Sequence, residues 1–253
     1  MQGPSIFLAS DIHLGVAPPE TERAFRGWLD FCGPRASKVV INGDLFDFWF
    51  EYGSVIPRGH TRVLGALAAL VDSGVPVLLM GGNHDWWGGT FLTEELGVEF
   101  LHEPTVLNLQ GFRTLLAHGD GLGSGDLGYR LLRLILRGSV TRFAFRWLHP
   151  DLGAWIARRV SKTGIHGKGP SQKQIARSAF LEEWAVRKLA EDQDLDLVVL
   201  GHTHVPMVKE VAPGRWYLNA GDWILNRSYG VLTEGEAPRL MDFGNGTPSE
   251  TNR

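Results

Sequence analysis

Five short apolar runs, each ended at once by an acid, an amide or an imidazole, constrain this chain more than any other feature. The runs are Ile6-Phe7-Leu8-Ala9, Val39-Val40-Ile41, Val77-Leu78-Leu79-Met80, Thr114-Leu115-Leu116-Ala117 and Leu197-Val198-Val199-Leu200. Short, aliphatic and rich in β-branched residues, they read as strands buried on both faces. Directly after them come Ser10-Asp11-Ile12-His13, Asn42-Gly43-Asp44, Gly82-Asn83-His84-Asp85, His118-Gly119-Asp120 and Gly201-His202-Thr203-His204. A sixth run, Trp216-Tyr217-Leu218, leads into Asn219-Ala220-Gly221-Asp222. Between the runs, Glu22 to Cys32 and Arg62 to Asp72 repeat apolar residues at helical spacing. Strands alternating with helices predict a layered α/β domain. Ligand sites in such sheets gather at the carboxyl ends of strands. One polar cluster there means little; five on one rim predict one site.

The donor types say what that site would hold. Asp11 and His13 are two apart, so in an extended segment a carboxylate and an imidazole face the same way. His202 and His204 repeat the spacing, and Asp44, Asn83 and His118 complete a set of oxygen and nitrogen donors without sulfur. Such a set favours Mn²⁺, Fe or Zn²⁺ over Ca²⁺. Seven ligands exceed what one ion takes and suit two, with Asp44 as the bridge. Two ions roughly 3.5–4 Å apart stabilise the attacking and leaving oxygens of phosphoryl transfer. The other histidines, His60, His102, His149 and His166, belong to no such cluster.

Composition narrows the setting. The 253 residues, 43% hydrophobic, suffice for one large domain or two small ones. The single cysteine, Cys32, excludes an internal disulfide and reads as a small buried hydrophobe. No stretch approaches the roughly 20 apolar residues of a spanning helix, and the start lacks a secretory signal. A cytoplasmic protein, at most lying on a membrane, is the expectation. The net charge of -3 hides an asymmetry: residues 121–180 carry +9 and the remainder -12. That segment is also apolar, with Leu131, Phe143, Trp147 and Trp155 among its arginines. Two readings stand: a helical face for anionic lipid, or a helical subdomain packing on itself. Apolar residues interleaved with the arginines speak against nucleic acid. The tail after Asp242 reads as disordered.

The order Asp-x-His, Gly-Asp, Gly-Asn-His-Asp, His, Gly-His-Thr-His resembles the calcineurin-like metallophosphoesterase superfamily from Ile6 to about Gly221. The resemblance implies two β-sheets sandwiched between helices in four layers. It also implies Asp11, His13, Asp44 and His204 on one metal and Asp44, Asn83, His118 and His202 on the other. A closer likeness is to the bacterial UDP-2,3-diacylglucosamine pyrophosphatases of lipid A synthesis. It rests on Asn42-Gly43-Asp44-Leu45-Phe46-Asp47-Phe48-Trp49, on Asp126-Leu127-Gly128-Tyr129, and on the basic insertion ending in Ser161-Lys162-Thr163. It implies a core of 1–120 and 181–243 and a helical cap over 121–180 that grips acyl chains and nucleotide. Asp126, Tyr129, Arg133, Ser161, Lys162 and Lys173 become candidates for substrate contact. It further implies two Mn²⁺ ions and a UDP-linked glycolipid cleaved at the inner membrane surface to UMP and 2,3-diacylglucosamine 1-phosphate. His84 would serve the leaving oxygen and Asp85 would orient His84. At His84 the chain departs from the well-studied branch, which has arginine there; histidine is the general superfamily residue. Another nucleotide or lipid phosphoester is the alternative substrate. An inactive scaffold should have lost ligands, and this chain keeps all seven.

Overall fold

The computed structural model describes residues 4–122, 133–160, 169–244 and 246–251. Four parallel strands, β1 (Ser5–Ala9), β2 (Ala36–Asn42), β3 (Val77–Met80) and β4 (Glu99–Leu101), lie side by side. Antiparallel β10 (Ser228–Leu232), β11 (Arg239–Gly244) and β12 (Thr247–Glu250) extend that sheet to the order β12-β11-β10-β1-β2-β3-β4. A second sheet runs β5-β6-β7-β9-β8, from Thr105–Leu109, Phe112–Leu116, Leu197–Leu200, Arg215–Asn219 and Met207–Ala212. Within it β6, β7 and β9 are parallel.

The continuous apolar runs follow from burial on two sides. Side chains alternate across a strand, so Ile6, Leu8, Val40, Leu78 and Met80 face Leu116, Leu197, Val199 and Leu218 of the other sheet. Their neighbours Phe7, Ala9, Val39, Ile41, Val77 and Leu79 point outward. There they meet α1 (Pro19–Cys32) and α2 (Thr61–Asp72) through Phe25, Trp28, Val63 and Leu67. Cys32 lies in that layer, fully buried. On the far side, Val198 and Leu200 pack against Leu181, Ala185 and Leu189 of α5 (Gln172–Glu191). The stack is helix, sheet, sheet, helix, the four layers expected.

Two expectations need correction. Residues 247–250 are not disordered: β12 pairs with β11, Phe243 opposite Pro248 and Met241 opposite Glu250. All four of its residues are exposed, so backbone hydrogen bonds hold it and no apolar pattern marks it. The boundary expected between 180 and 181 falls inside α5, which runs unbroken from residue 172 to 191. The described part of the insertion holds a helical turn at 133–137, α3 (Ser139–Arg146) and α4 (Pro150–Val160).

Candidate metal centre

Because β1, β2 and β3 are parallel, as are β6, β7 and β9, all six motifs emerge on one rim. Hydrogen bonds lace the two sheets together there. Asn42 Nδ2 donates to Ala117 O at 3.0 Å, joining the ends of β2 and β6. The amides of Ile12 and His13 both donate to Asp44 O at 2.9 Å, zipping the loop after β1 to the loop after β2.

The ligand candidates converge by a route the spacing does not show. Asp11, His13, Asp44, His202 and His204 all have left-handed backbones, with φ of 55°, 51°, 54°, 69° and 62°. Only two other non-glycine residues among those described share that region, Gln110 and Arg227. Asp11 and His13 therefore do not sit in an extended segment. Kinks turn both inward while Ile12, fully buried, faces the core. A left-handed conformation costs a non-glycine residue about 1–3 kcal/mol, and five in one site mark a geometry enforced by its surroundings.

The side chains meet in three overlapping groups. Ligand atoms of Asp11, His13 and His204 lie within 4.8 Å of one another, as do those of Asp44, His118 and His202, and those of His13, Asp44 and His84. In the first, His204 Nε2 is 3.4 Å from Asp11 Oδ1 and 3.3 Å from His13 Nε2. In the second, His118 Nε2 is 3.3 Å from Asp44 Oδ2. Asp44 stands between the two, its Oδ2 also 3.8 Å from His13 Nε2. Asn83 joins through Oδ1, 3.1 Å from His202 Nδ1. Gly82 permits this approach: a Cβ there would overlap Asp44 Oδ1 and lie 2.6 Å from Asp44 N.

These residues fit divalent cations. Asp11 Oδ1 is buried and accepts no hydrogen bond, although Asp11 Oδ2 takes the His202 amide at 2.9 Å and the Ser10 hydroxyl. An orphaned carboxylate oxygen facing two imidazole nitrogens is a costly arrangement unless a cation satisfies it. His118 Nδ1–H donates to Asn42 O at 2.8 Å, which fixes its tautomer and aims Nε2 at the site. Burial opposes ionisation of Asp44, but His118, His84 and His13 outweigh it and hold the carboxyl well below its usual range. Burial pulls the His118 imidazole down, while Asp44 and Asp11 reverse this and raise it well above 6.5. Burial, then His118, brings His202 down to about 4, so it stays neutral with a lone pair to offer. Protons held in this way are the charges that a bound cation replaces.

The remaining candidates divide. His84 Nδ1–H donates to Asp47 O at 2.8 Å, and its Nε2 lies 3.9 Å from Asp44 Oδ2. Asp85 is held by backbone amides. Fully buried, it accepts the amides of Leu45 at 2.7 Å, Gly82 at 2.8 Å, and Asp44 and Phe46 at 3.3 Å each. Burial and the neighbouring Asp44 push its pKa up to about 6. It therefore ties the β2 loop to the β3 loop, because those donors surround it. Arg133 donates to Asp120 O at 2.7 Å, and Lys173 is exposed on the first turn of α5. Asp126, Tyr129, Ser161, Lys162 and His166 lie outside the described residues.

Supporting residues were visible in the motifs without a role attached. Asn219 Nδ2 donates to Gly201 O at 2.9 Å. Asp222 accepts Leu225 N at 2.6 Å and Asn226 Nδ2 at 2.8 Å, and its Oδ2 is 4.0 Å from His204 Nδ1. Their signal is an amide or acid at the carboxyl end of the sixth strand.

Two sheets between helices, with paired carboxylate and imidazole triads at one rim, define a metal-dependent phosphoesterase. The calcineurin-like phosphoesterase family model matches residues 4–206, and the chain belongs to that family of hydrolases. Among curated relatives, it is 32% identical to a UDP-2,3-diacylglucosamine hydrolase of Porphyromonas gingivalis, covering 89% of this chain and 93% of that protein. It is likewise 32% identical to one of Ectopseudomonas mendocina, over 94% of this chain and 98% of the relative. A solved structure, GAP50 of Plasmodium, described as the anchor in the inner membrane complex, shares the fold at a TM-score of 0.51. Its sequence is 13% identical, over 100% of this chain and 89% of that one.

Proposed function

We propose that the chain hydrolyses the pyrophosphate bond of UDP-2,3-diacylglucosamine, releasing UMP and 2,3-diacylglucosamine 1-phosphate. The observation that carries this reading is the near full-length match to hydrolases named for that substrate, at 32% identity over 94% of the chain. The seven ligand candidates would hold two divalent cations, Asp11, His13, Asp44 and His204 on one and Asp44, Asn83, His118 and His202 on the other. Manganese is the favoured ion, and iron or zinc suits the same donors. When bound, the pair supplies a water acidic enough to be hydroxide near neutral pH and offsets charge on the phosphoryl oxygens. The chain contributes position and proton control. The Asp47 carbonyl keeps a proton on His84 Nδ1, leaving Nε2 to face the leaving oxygen. Arg133 and Lys173, with Asp126, Tyr129, Ser161 and Lys162, remain the candidates for holding the substrate.

The cap supports a lipid substrate and an anionic membrane surface as partner. Of the twelve exposed large apolar side chains among the described residues, seven lie in 133–160: Leu134, Ile135, Val140, Phe143, Trp147, Leu152 and Trp155. α3 buries Phe145 against the core and, with Trp147 just past its end, turns Val140, Phe143 and Trp147 outward at 79%, 65% and 77% exposure, with Arg142 and Arg146 alongside. An apolar ridge flanked by arginines suits the headgroup boundary of a bilayer. No helix among the described residues is long and apolar enough to cross a membrane. We place the protein on the cytoplasmic face of the inner membrane.

The test is incubation of the Mn²⁺-loaded protein with UDP-2,3-diacylglucosamine beside a chromogenic diester. Release of UMP is the expected result. Turnover of the diester with no UMP from the lipid would redirect the site to another nucleotide or lipid phosphoester, the reading that His84 in place of arginine leaves open.

A further inference from the structure

We propose that Arg137 is a positioning residue that latches the cap to both metal-bearing loops and so sets how well the large substrate is held. The inference rests on the reading of UDP-2,3-diacylglucosamine as substrate.

The helical turn 133–137 carries Leu134 and Ile135 at 72% and 55% exposure, so burial of those two side chains does not seat it. Its grip is polar and comes from the loops after β6 and β3, with Glu103 after β4 adding ion pairs 4.0 Å from Arg137 and 3.8 Å from Arg133. Arg137 Nη2 donates to Asp120 Oδ2 at 3.0 Å, and Arg133 Nη1 donates to Asp120 O at 2.7 Å. Asp120 stands two residues beyond His118, after β6 of the second sheet. The Arg137 guanidinium carbon lies 4.8 Å from the centroid of the Trp86 ring, and Trp87 Nε1 donates to Leu136 O at 3.1 Å. Those tryptophans follow Asn83, His84 and Asp85, after β3 of the first sheet. One turn of cap helix thus bridges the rims of both sheets, next to a metal-ligand candidate on each.

The side chains of Arg137 and Asp120 are only 13% and 6% exposed. A buried ion pair contributes little net stability, because desolvation consumes most of the attraction. A planar guanidinium held by a carboxylate on one loop and a stacked indole on the other does define an orientation. The cap has a separate attachment further along. Phe145 of α3 sits 4.8 Å from Phe50 and 5.0 Å from Trp87 between ring centroids. Without Arg137, that aromatic socket and the Arg133–Asp120 and Trp87–Leu136 bonds keep the cap attached, while its angle to the metal loops slackens. The cost falls on binding of a substrate that spans cap and centre, and not on the hydrolytic step.

The experiment uses the full-length Mn²⁺-loaded protein carrying Arg137→Gln, with Trp86→Leu as a second variant that spares the ion pair. In each, KM for UDP-2,3-diacylglucosamine should rise about tenfold or more, with kcat within about threefold of wild type. Bound Mn²⁺ and turnover of bis(p-nitrophenyl) phosphate, a small diester needing no cap, should stay at the wild-type level. The double variant should be little worse than either single one, because both break one device. Amide exchange across 139–146 should quicken in Arg137→Gln without any substrate. That measurement stands even if the wild-type protein releases no UMP, an outcome that sinks the substrate reading alone. Unchanged exchange, additive effects, or a parallel fall in diester turnover and metal content would each overturn the latch.

Discussion

Replacing Asp85 with alanine tests how the metal loops are held. The carboxylate is fully buried and accepts four amides, of which Leu45 N at 2.7 Å and Gly82 N at 2.8 Å are short. A hydrogen bond to a charged acceptor contributes about 1.5–3 kcal/mol, so the two short bonds alone amount to about 3–6 kcal/mol. Relief of repulsion with Asp44 trims the upper end, leaving an expected loss of about 3–5 kcal/mol. Domains are stable by about 5–15 kcal/mol, so the variant should still fold and be measurable. Urea unfolding in EDTA should show a lower midpoint at an unchanged slope. Bound Mn²⁺ should fall as well, since Asp44 and Asn83 ride on the two loops that Asp85 joins. A midpoint within about 1 kcal/mol of wild type, with metal retained, refutes this account. If turnover alone then collapsed, Asp85 would serve His84, as their adjacency in the sequence suggests.

Four further outcomes follow from the same geometry. Asp44→Ala should lose both ions, and a variant that kept both with full hydrolysis would dismiss Asp44 as the bridge. His84→Ala should lose about 10²–10⁴-fold in turnover with metal content intact; stripped metal would instead make it a ligand beside His13 and Asp44. Gly82→Ala should weaken metal binding, because its Cβ would occupy the space of Asp44 Oδ1; wild-type affinity would show that the approach is not tight. His60 is 7% exposed, and burial lowers its pKa from 6.5 to about 4. As pH falls, the unfolded chain takes up that proton first, so stability present above 6.5 is lost between 6.5 and about 4, by up to about 3 kcal/mol. His60→Phe, which keeps a ring against Phe46 and Trp49, should flatten the unfolding curve in EDTA by one proton across that window. Equal slopes in the two proteins would show that His60 is not held neutral.

What could be read from the sequence and what could not divide along a physical line. Runs such as Val77-Leu78-Leu79-Met80 announce a strand buried on two faces, and hence two sheets or a sheet under helices. The antiparallel half stayed hidden. β10 pairs with β1 more than 200 residues away, Ile6 opposite Leu232, and β12 has no apolar side to display. The ligand candidates were legible because a metal needs particular side chains. Yet the i, i+2 spacing points to Asp11 and His13 through an extended backbone they do not have. Their left-handed turns exist because the Asp44 carbonyl takes two successive amides from a loop thirty residues earlier. At Asp85 the fold likewise adds contacts that the sequence does not display. Beside an imidazole in the sequence, it reads as that imidazole's partner; in the fold, amides from residues 44, 45, 46 and 82 reach it first. Chemistry at a site is a choice of side chains and leaves a trace in the sequence. The scaffold beneath it is built from backbone N–H and C=O groups, which nearly every residue carries, and only the path of the chain decides which of them meet.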